Sequence, residues 1–127
     1  LHNMKNEFII PFYPNMTFAF RTHTYAENKN TFIGLLCEED GFVEPYCNLT
    51  VNLSVPLDKD KAFIDVNNIE ARLIQYLSEN DFISNTGYTK QSGYVLYPLY
   101  QLNLEKIKQH LAYYKGEVPW KNNTHIS

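Results

Sequence analysis

TGYTKQSGYVLYPLYQLNL, residues 86–104, places Tyr88, Tyr94, Tyr97 and Tyr100 in a strand-like run that opens on two glycine-containing turns. Alternate residues of a strand point to opposite sides. Tyr94, Leu96, Tyr100 and Leu102 therefore fall on one side and Val95, Tyr97, Leu99 and Gln101 on the other, so both sides carry aromatic or apolar groups. A strand with one side in water does not read this way. Either a helix covers the second side, or the rings form a contact surface, since tyrosine joins a large apolar ring to a polar tip.

Upstream, period-2 alternation continues. Met16, Phe18 and Phe20 alternate with Thr17, Ala19 and Arg21, and Ile33, Leu35 and Cys37 with Phe32, Gly34 and Leu36. Cys47, Leu49, Val51 and Leu53 alternate with Asn48, Thr50, Asn52 and Ser54, which predicts one half-buried strand. Glu39-Asp40-Gly41 supplies a type I′ turn, and Pro45 predicts an edge or bulge position. Ala62–Val66 reads as a short strand feeding a helix capped by Asn67, with Glu70 three positions on; Ile69, Leu73, Tyr76 and Leu77 form its stripe, which runs to about Glu79. Phe82 and Ile83 then return to the core ahead of a turn at Ser84-Asn85-Thr86-Gly87. Asn103 caps a last helix through Tyr114, with Leu104, Ile107 and Leu111 on its apolar stripe and Gly116 just past its end. The expected fold is α+β: one antiparallel sheet of about five strands with about two helices packed on one face.

The chain of 127 residues, 44% of them hydrophobic, is long enough for one core, and residues 4–116 are expected to form a single domain. Residues 1–3 read as a vector remnant ahead of Met4, and 117–127 as a flexible tail. Ten tyrosines, eight phenylalanines and one tryptophan exceed what turns and helices require, so much of the core must be aromatic. The net charge of −3, with 11 scattered basic residues, argues against a nucleic-acid partner, because phosphate neutralisation needs Lys and Arg clustered on one face. Fourteen acidic residues are too dilute for a DNA mimic, although Glu38, Glu39, Asp40 and Glu44 form a local patch. No apolar run approaches the ~18 residues of a membrane span. No h-region of a signal peptide stands at the N-terminus, so a cytoplasmic protein with no membrane partner is expected. Four sequons, at Asn15, Asn48, Asn52 and Asn122, arise readily in an Asn-rich chain; Asn48 and Asn52 fall inside a predicted strand, a poor place for a glycan.

Chemistry-bearing patterns are sparse. If Asp40-Gly41 is a two-residue turn, Cys37 faces Glu44 rather than Cys47, so both thiols are expected to be free. A dyad of Cys37 or Cys47 with His23 can be assembled, but buried strand cysteines behave as small hydrophobes. Asp65 and Glu70 form the one candidate carboxylate pair, and both have structural uses at the strand-to-helix junction. That junction, Asp65-Val66-Asn67-Asn68, could hold an anion at a helix N-terminus but lacks the glycine that would admit a phosphate. His2, His23, His110 and His125 have no partner at metal-ligand spacing. No cofactor, metal or catalytic residue is expected.

Three phrases taken together, Leu49-Thr50-Val51-Asn52-Leu53, Phe63-Ile64-Asp65-Val66-Asn67-Asn68, and Thr86-Gly87 through Ser92-Gly93-Tyr94 to Tyr97-Pro98-Leu99-Tyr100, resemble a family of small uncharacterised proteins carried on plasmids, phages and integrative elements of gut bacteria. The resemblance spans roughly residues 30–108 and transfers no catalytic residue. It implies a context in which small proteins inhibit host defence, as anti-restriction or anti-CRISPR proteins do, by binding. The expectation is a non-enzymatic protein that occludes a protein partner, with Tyr88, Tyr94, Tyr97 and Tyr100 as anchors and Glu38, Glu39, Asp40 and Glu44 as a charged rim. Self-association is the other use of such a surface. The alternative is a module that sequesters a small molecule or nucleotide, rings stacking on a base and the helix starts at Asn67 or Asn103 facing phosphate.

Overall fold

A computed structural model describes residues 4–112. Three strands, β1 (Thr17–Thr24), β2 (Thr31–Glu39) and β3 (Phe42–Asn48), form an antiparallel sheet in that order. β2 is central and buried on both sides from Thr31 to Cys37. On one side Ile33, Leu35 and Cys37 join Phe18 and Phe20 in the main core; on the other Leu36 packs with Ala19 and Met4. The β2–β3 turn has Asp40 at φ 53° and Gly41 at φ 82°, the two positive values a type I′ turn requires. Its register puts Cys37 opposite Glu44, and both cysteines are free. A bulge follows, with Leu36 opposite Pro45 and Leu35 opposite Cys47, so Pro45 sits on an edge strand beside an irregular step, where a residue without an N–H is tolerated.

A second antiparallel sheet holds β4 (Thr50–Val51), β5 (Lys61–Ile64), β6 (Ile83–Ser92) and β7 (Val95–Leu102), in the order β4-β5-β7-β6. The expected single sheet of five strands is thus two sheets of three and four. The misreading lies in Cys47–Ser54, whose alternation predicts one strand. The chain leaves the first sheet at Asn48 and enters the second at Thr50. Between them the Leu49 N–H donates to the Ile33 carbonyl (2.9 Å) and the Leu49 carbonyl accepts from the Asp65 N–H (2.9 Å). Period-2 alternation is the same on either sheet, so it cannot show a change of sheet. Ser84–Gly87 is likewise no turn. It lies within β6, where the register shifts between Asn85 and Thr89.

Helix α1 (Ala71–Glu79) ends as expected but starts later. Asn67 does not cap it: Asp65–Asn68 is a turn closed by Asn68 N–H to the Asp65 carbonyl (3.1 Å) and Asn68 Nδ2 to Asp65 Oδ2 (3.0 Å). Glu70 holds the N-cap position with no side-chain cap bond, and its carboxylate is engaged by Tyr13 and Arg72 instead. At the far end Phe82 N–H donates to Leu77 O and Asp81 N–H to Ser78 O, the paired bonds of a Schellman motif with Asp81 in the glycine position at φ 63°. A left-handed backbone costs roughly 1–2 kcal/mol for a residue with a Cβ. Asp81→Gly is therefore expected to stabilise the fold by up to about 1 kcal/mol, the strain relief being offset in part by greater freedom of the unfolded chain, and denaturant titration checks this. Asn103 caps α2 (Leu104–Lys108) through its side chain, which accepts from Lys106 N–H (3.2 Å). This helix stops at Lys108 because the following backbone joins β1: Phe20 N–H donates to His110 O (2.7 Å) and Ala112 N–H to Phe20 O (2.8 Å). Its expected end at Tyr114 and Gly116, the expected vector remnant and the expected tail all lie outside the described residues. Leu73, Ile74, Leu77 and Ile107 from the helices share one core with Phe18, Ile33, Ala62, Ile64, Ile83 and Leu102 of both sheets.

Candidate functional site

The β6–β7 hairpin has two halves with different surroundings. Near its base, β7 lies between β6 and β5: Leu102 pairs with Ile83, Tyr100 with both Asn85 and Ala62, and Leu99 with Phe63. β5 pairing ends at Leu99, so beyond that residue β7 has β6 as its one ladder neighbour. A bulge marks the change, with Thr86, Gly87 and Tyr88 set against Leu99 alone. Gly87 adopts φ +89°, Thr86 Oγ1 donates to Leu99 O (2.7 Å), and Tyr88 N–H donates back to Thr86 Oγ1 (3.2 Å). The distal arm then runs regularly from Thr89 opposite Pro98 to Ser92 opposite Val95. It closes through Gly93-Tyr94, with positive φ at the glycine alone, as in a type II′ turn.

This geometry divides the four expected anchors. Tyr94, at the turn, is fully exposed, Tyr88 is 59% exposed with its ring 6.4 Å from Phe63, and Tyr97 is half-buried. Tyr100 is 8% exposed and belongs to the core, because the strand is central where it sits. It drops out of the surface group. Leu96, 57% exposed, joins it. The two-sided apolar pattern of residues 94–102 thus has two causes along one strand, burial on both sides at the base and, in the arm, one side exposed at Tyr94 and Leu96 with the other half-buried at Val95 and Tyr97.

The acidic residues lie elsewhere, at the tip of the β2–β3 hairpin in the first sheet. Glu39, Asp40 and Glu44 are exposed, and Glu38 is half-buried and accepts from the Met4 N–H (3.1 Å). No strand pairing brings them beside the tyrosine arm. Phe42, 74% exposed and directly opposite Glu39, is an aromatic group that the sequence reading passed over. A signal for it existed, since a residue next to a two-residue turn is the first to run past a core.

The candidate reactive groups are dispersed. Burial, with Glu44 and Glu39 nearby, pushes the Cys37 thiol up to about 11; burial, with Asp65 nearby, pushes Cys47 up to about 12. A thiol held protonated is a poor nucleophile. His23 pairs with Phe32, five positions along β2 from Cys37 and on the opposite side of the sheet, about 17 Å away at ordinary strand rise, and Cys47 pairs with Leu35, on the same side as Cys37 and one strand further from His23, so neither Cys–His dyad forms. Burial and the neighbouring Arg21 push the His23 imidazole below its usual range. Asp65 and Glu70 do not form a working pair: Asp65 Oδ2 takes Asn68, and the Tyr13 hydrogen bond, with Arg72 adjacent, holds Glu70 below the usual carboxylate range. Burial and the bond to Glu70 push the Tyr13 phenol upward, beside a cavity of about 280 Å³ that Tyr46 and Cys47 also line. No group of three metal-ligating side chains occurs among the described residues. No helix among them is long and apolar enough to cross a membrane.

An open cleft of about 1150 Å³ lies where β5, the end of α1 and the start of α2 meet, lined by Asp58, Lys59, Asp60, Lys61, Asp81 and Gln101 among others. Its charges are largely internally paired, with Lys61 Nζ 3.5 Å from Asp58 and 3.9 Å from Asp60, and Gln101 Nε2 donating to Asp60 Oδ2 (2.6 Å).

Comparison with curated proteins gives no match, and comparison with solved structures gives none. A family model does match, over residues 19–116, from within β1 past the end of α2, and the chain therefore belongs to the family described as a domain of unknown function, DUF4313.

Proposed function

We propose that this protein is a non-enzymatic binding protein whose distal β6–β7 arm docks on another protein, and that it serves on a mobile element as an inhibitor of a bacterial defence system, of the anti-restriction or anti-CRISPR kind, by occluding its target. The observation that carries the binding reading is the arm itself. Three of the five large apolar or aromatic side chains that stand exposed among the described residues, Tyr88, Tyr94 and Leu96, lie on this one hairpin. Rigid aromatic side chains at a surface supply contact area at low entropic cost and anchor interfaces. The raised thiols and the separated His23 agree with binding rather than turnover. The mobile-element context rests on the resemblance of the three sequence phrases.

The test is capture from a bacterial lysate with the wild-type chain and with the double variant Tyr94→Ala/Leu96→Ser. Both side chains are largely solvated, so the variant is expected to melt within a few degrees of wild type and to lose the captured protein at least tenfold. Equal capture by a folded variant removes the arm from the interface.

A second reading, a module sequestering a small molecule, is favoured by the cleft of about 1150 Å³ beside Asp60 and Asp81. Asn67 caps no helix and α2 is five residues long, so the phosphate contacts expected at the helix starts have no geometry behind them. A thermal-shift screen against nucleotides decides this reading, because a ligand that binds only the folded state must raise the melting temperature.

A further inference from the structure

The β2–β3 ladder continues past the core at its turn end. Side chains directly opposite each other in an antiparallel pair share a side of the sheet, and so do residues two apart on one strand. Cys37 pairs with Glu44 and Glu39 with Phe42, so Glu39, Phe42 and Glu44 lie on the same side of the hairpin as Cys37. Cys37 is the last of the four to be buried, at 3% exposed; Phe42 stands 74% exposed, and Glu39 and Glu44 are exposed. This end of the sheet is therefore an aromatic ring beside two carboxylates, all three exposed and on one face. The ion pairs found among the described residues, Lys61 with Asp58 and Asp60 and Arg72 with Glu70, leave Glu39 and Glu44 out. Residues 38–44 hold four acidic side chains and no basic one.

We infer that this face is a second docking surface, for an arginine-bearing basic segment of a protein partner, with a guanidinium stacked on the Phe42 ring and bonded to Glu39 and Glu44. The choice of occupant follows from charge complementarity. A bare apolar partner would leave two carboxylates desolvated and unpaired, and a nucleic acid or an anionic membrane would be repelled. Arginine fits better than lysine because its flat cation stacks on an aromatic face while its N–H groups, directed outward in the cation's own plane, remain free to bond carboxylates beside the ring. The molecule contains the same arrangement already satisfied from within: Arg72 lies 4.5 Å over the Phe12 ring while bonding Glu70 (3.0 Å). The inference deepens the binding reading by naming the chemistry of a partner, and it rests on that reading only in treating the protein as a binder.

The test needs no native partner. A synthetic Arg-Gly repeat peptide is titrated into the full chain at moderate salt, with a citrulline-for-arginine peptide and a Lys-Gly peptide as controls, and followed by amide NMR shifts and fluorescence anisotropy. The expected result is saturable binding of the arginine peptide, with shifts confined to residues 37–46, at least fivefold weaker binding of the lysine peptide, and none of the citrulline peptide. Phe42→Ala and Glu39→Gln/Glu44→Gln should each weaken binding at least tenfold with the melting temperature within a few degrees, and Phe42→Tyr should restore it. Absence of saturable binding, equal affinity for lysine and arginine peptides, indifference to Phe42→Ala, or shifts centred on the β6–β7 arm would each overturn the inference. Because Tyr94 and Leu96 are intact in every arm of this experiment, its failure leaves the arm reading standing, and loss of capture by the arm variant leaves this one standing.

Discussion

Phe18→Ala is expected to remove about 3–5 kcal/mol of stability, the range for deleting a fully buried aromatic ring. Phe18 has no solvent exposure, and its ring meets Phe8 at 6.2 Å, Tyr13 at 5.6 Å and Tyr46 at 5.3 Å. Those contacts tie β1 to the N-terminal segment and to the bulge of β3, so the cavity left behind borders three parts of the chain that cannot all collapse into it. Since domains of this size have about 5–15 kcal/mol in total, the variant should lose roughly a fifth or more of its stability. Urea titration would show this as a lower midpoint at nearly constant slope. A midpoint within a tenth of a molar of wild type would mean that the ring is not a core element.

The second large effect is polar. Asn30 is 5% exposed, and its side chain joins two loops: Nδ2 donates to the Val55 carbonyl (2.7 Å) and to Asn52 Oδ1 (3.3 Å), while Oδ1 accepts from the Leu57 N–H (3.1 Å). Asn30→Ala leaves two backbone groups of the 52–57 segment without partners, each costing about 1–3 kcal/mol if it stays buried. The segment can move outward and let water in, so we expect a loss of about 2–4 kcal/mol, measured by the same titration. Amide exchange should also quicken most at Leu57. Asn30→Asp keeps the acceptor to Leu57 N–H but not the donor to Val55 O, and should fall between wild type and alanine. An alanine variant as stable as wild type would show that these bonds merely replace equivalent bonds to water.

The sequence disclosed the pieces whose cause is local. The Asp40-Gly41 turn was legible because two adjacent positive φ values select those residues, and from that turn the Cys37–Glu44 pairing follows by counting. The Asn103 cap and the end of α1 were legible for the same kind of reason. What escaped the reading depends on distant parts of the chain. Alternation through Cys47–Ser54 is blind to a change of sheet at Leu49. The helix after Leu104 stops early because β1, more than eighty residues upstream, takes its backbone. The failure at Asn67 is of another kind, since a good cap residue was used in a turn ahead of the helix instead of at its start. At the candidate site, the exposure of Tyr88 and Tyr94 was legible, Tyr97 is half-buried, and Tyr100 was grouped with them because the length of β5, which decides where β7 is central, is not written in β7.

The splice at Leu49 has a consequence for how the molecule comes apart. One residue ties its N–H to Ile33 and its carbonyl to Asp65, each sixteen positions away, and so closes two equal loops at a single point. Opening either layer breaks a bond at that junction and uncovers part of the core that both sheets share, so the two sheets should open in one cooperative transition. Completing the junction requires both loop closures, a larger entropic cost than either local hairpin carries, and one that should slow refolding.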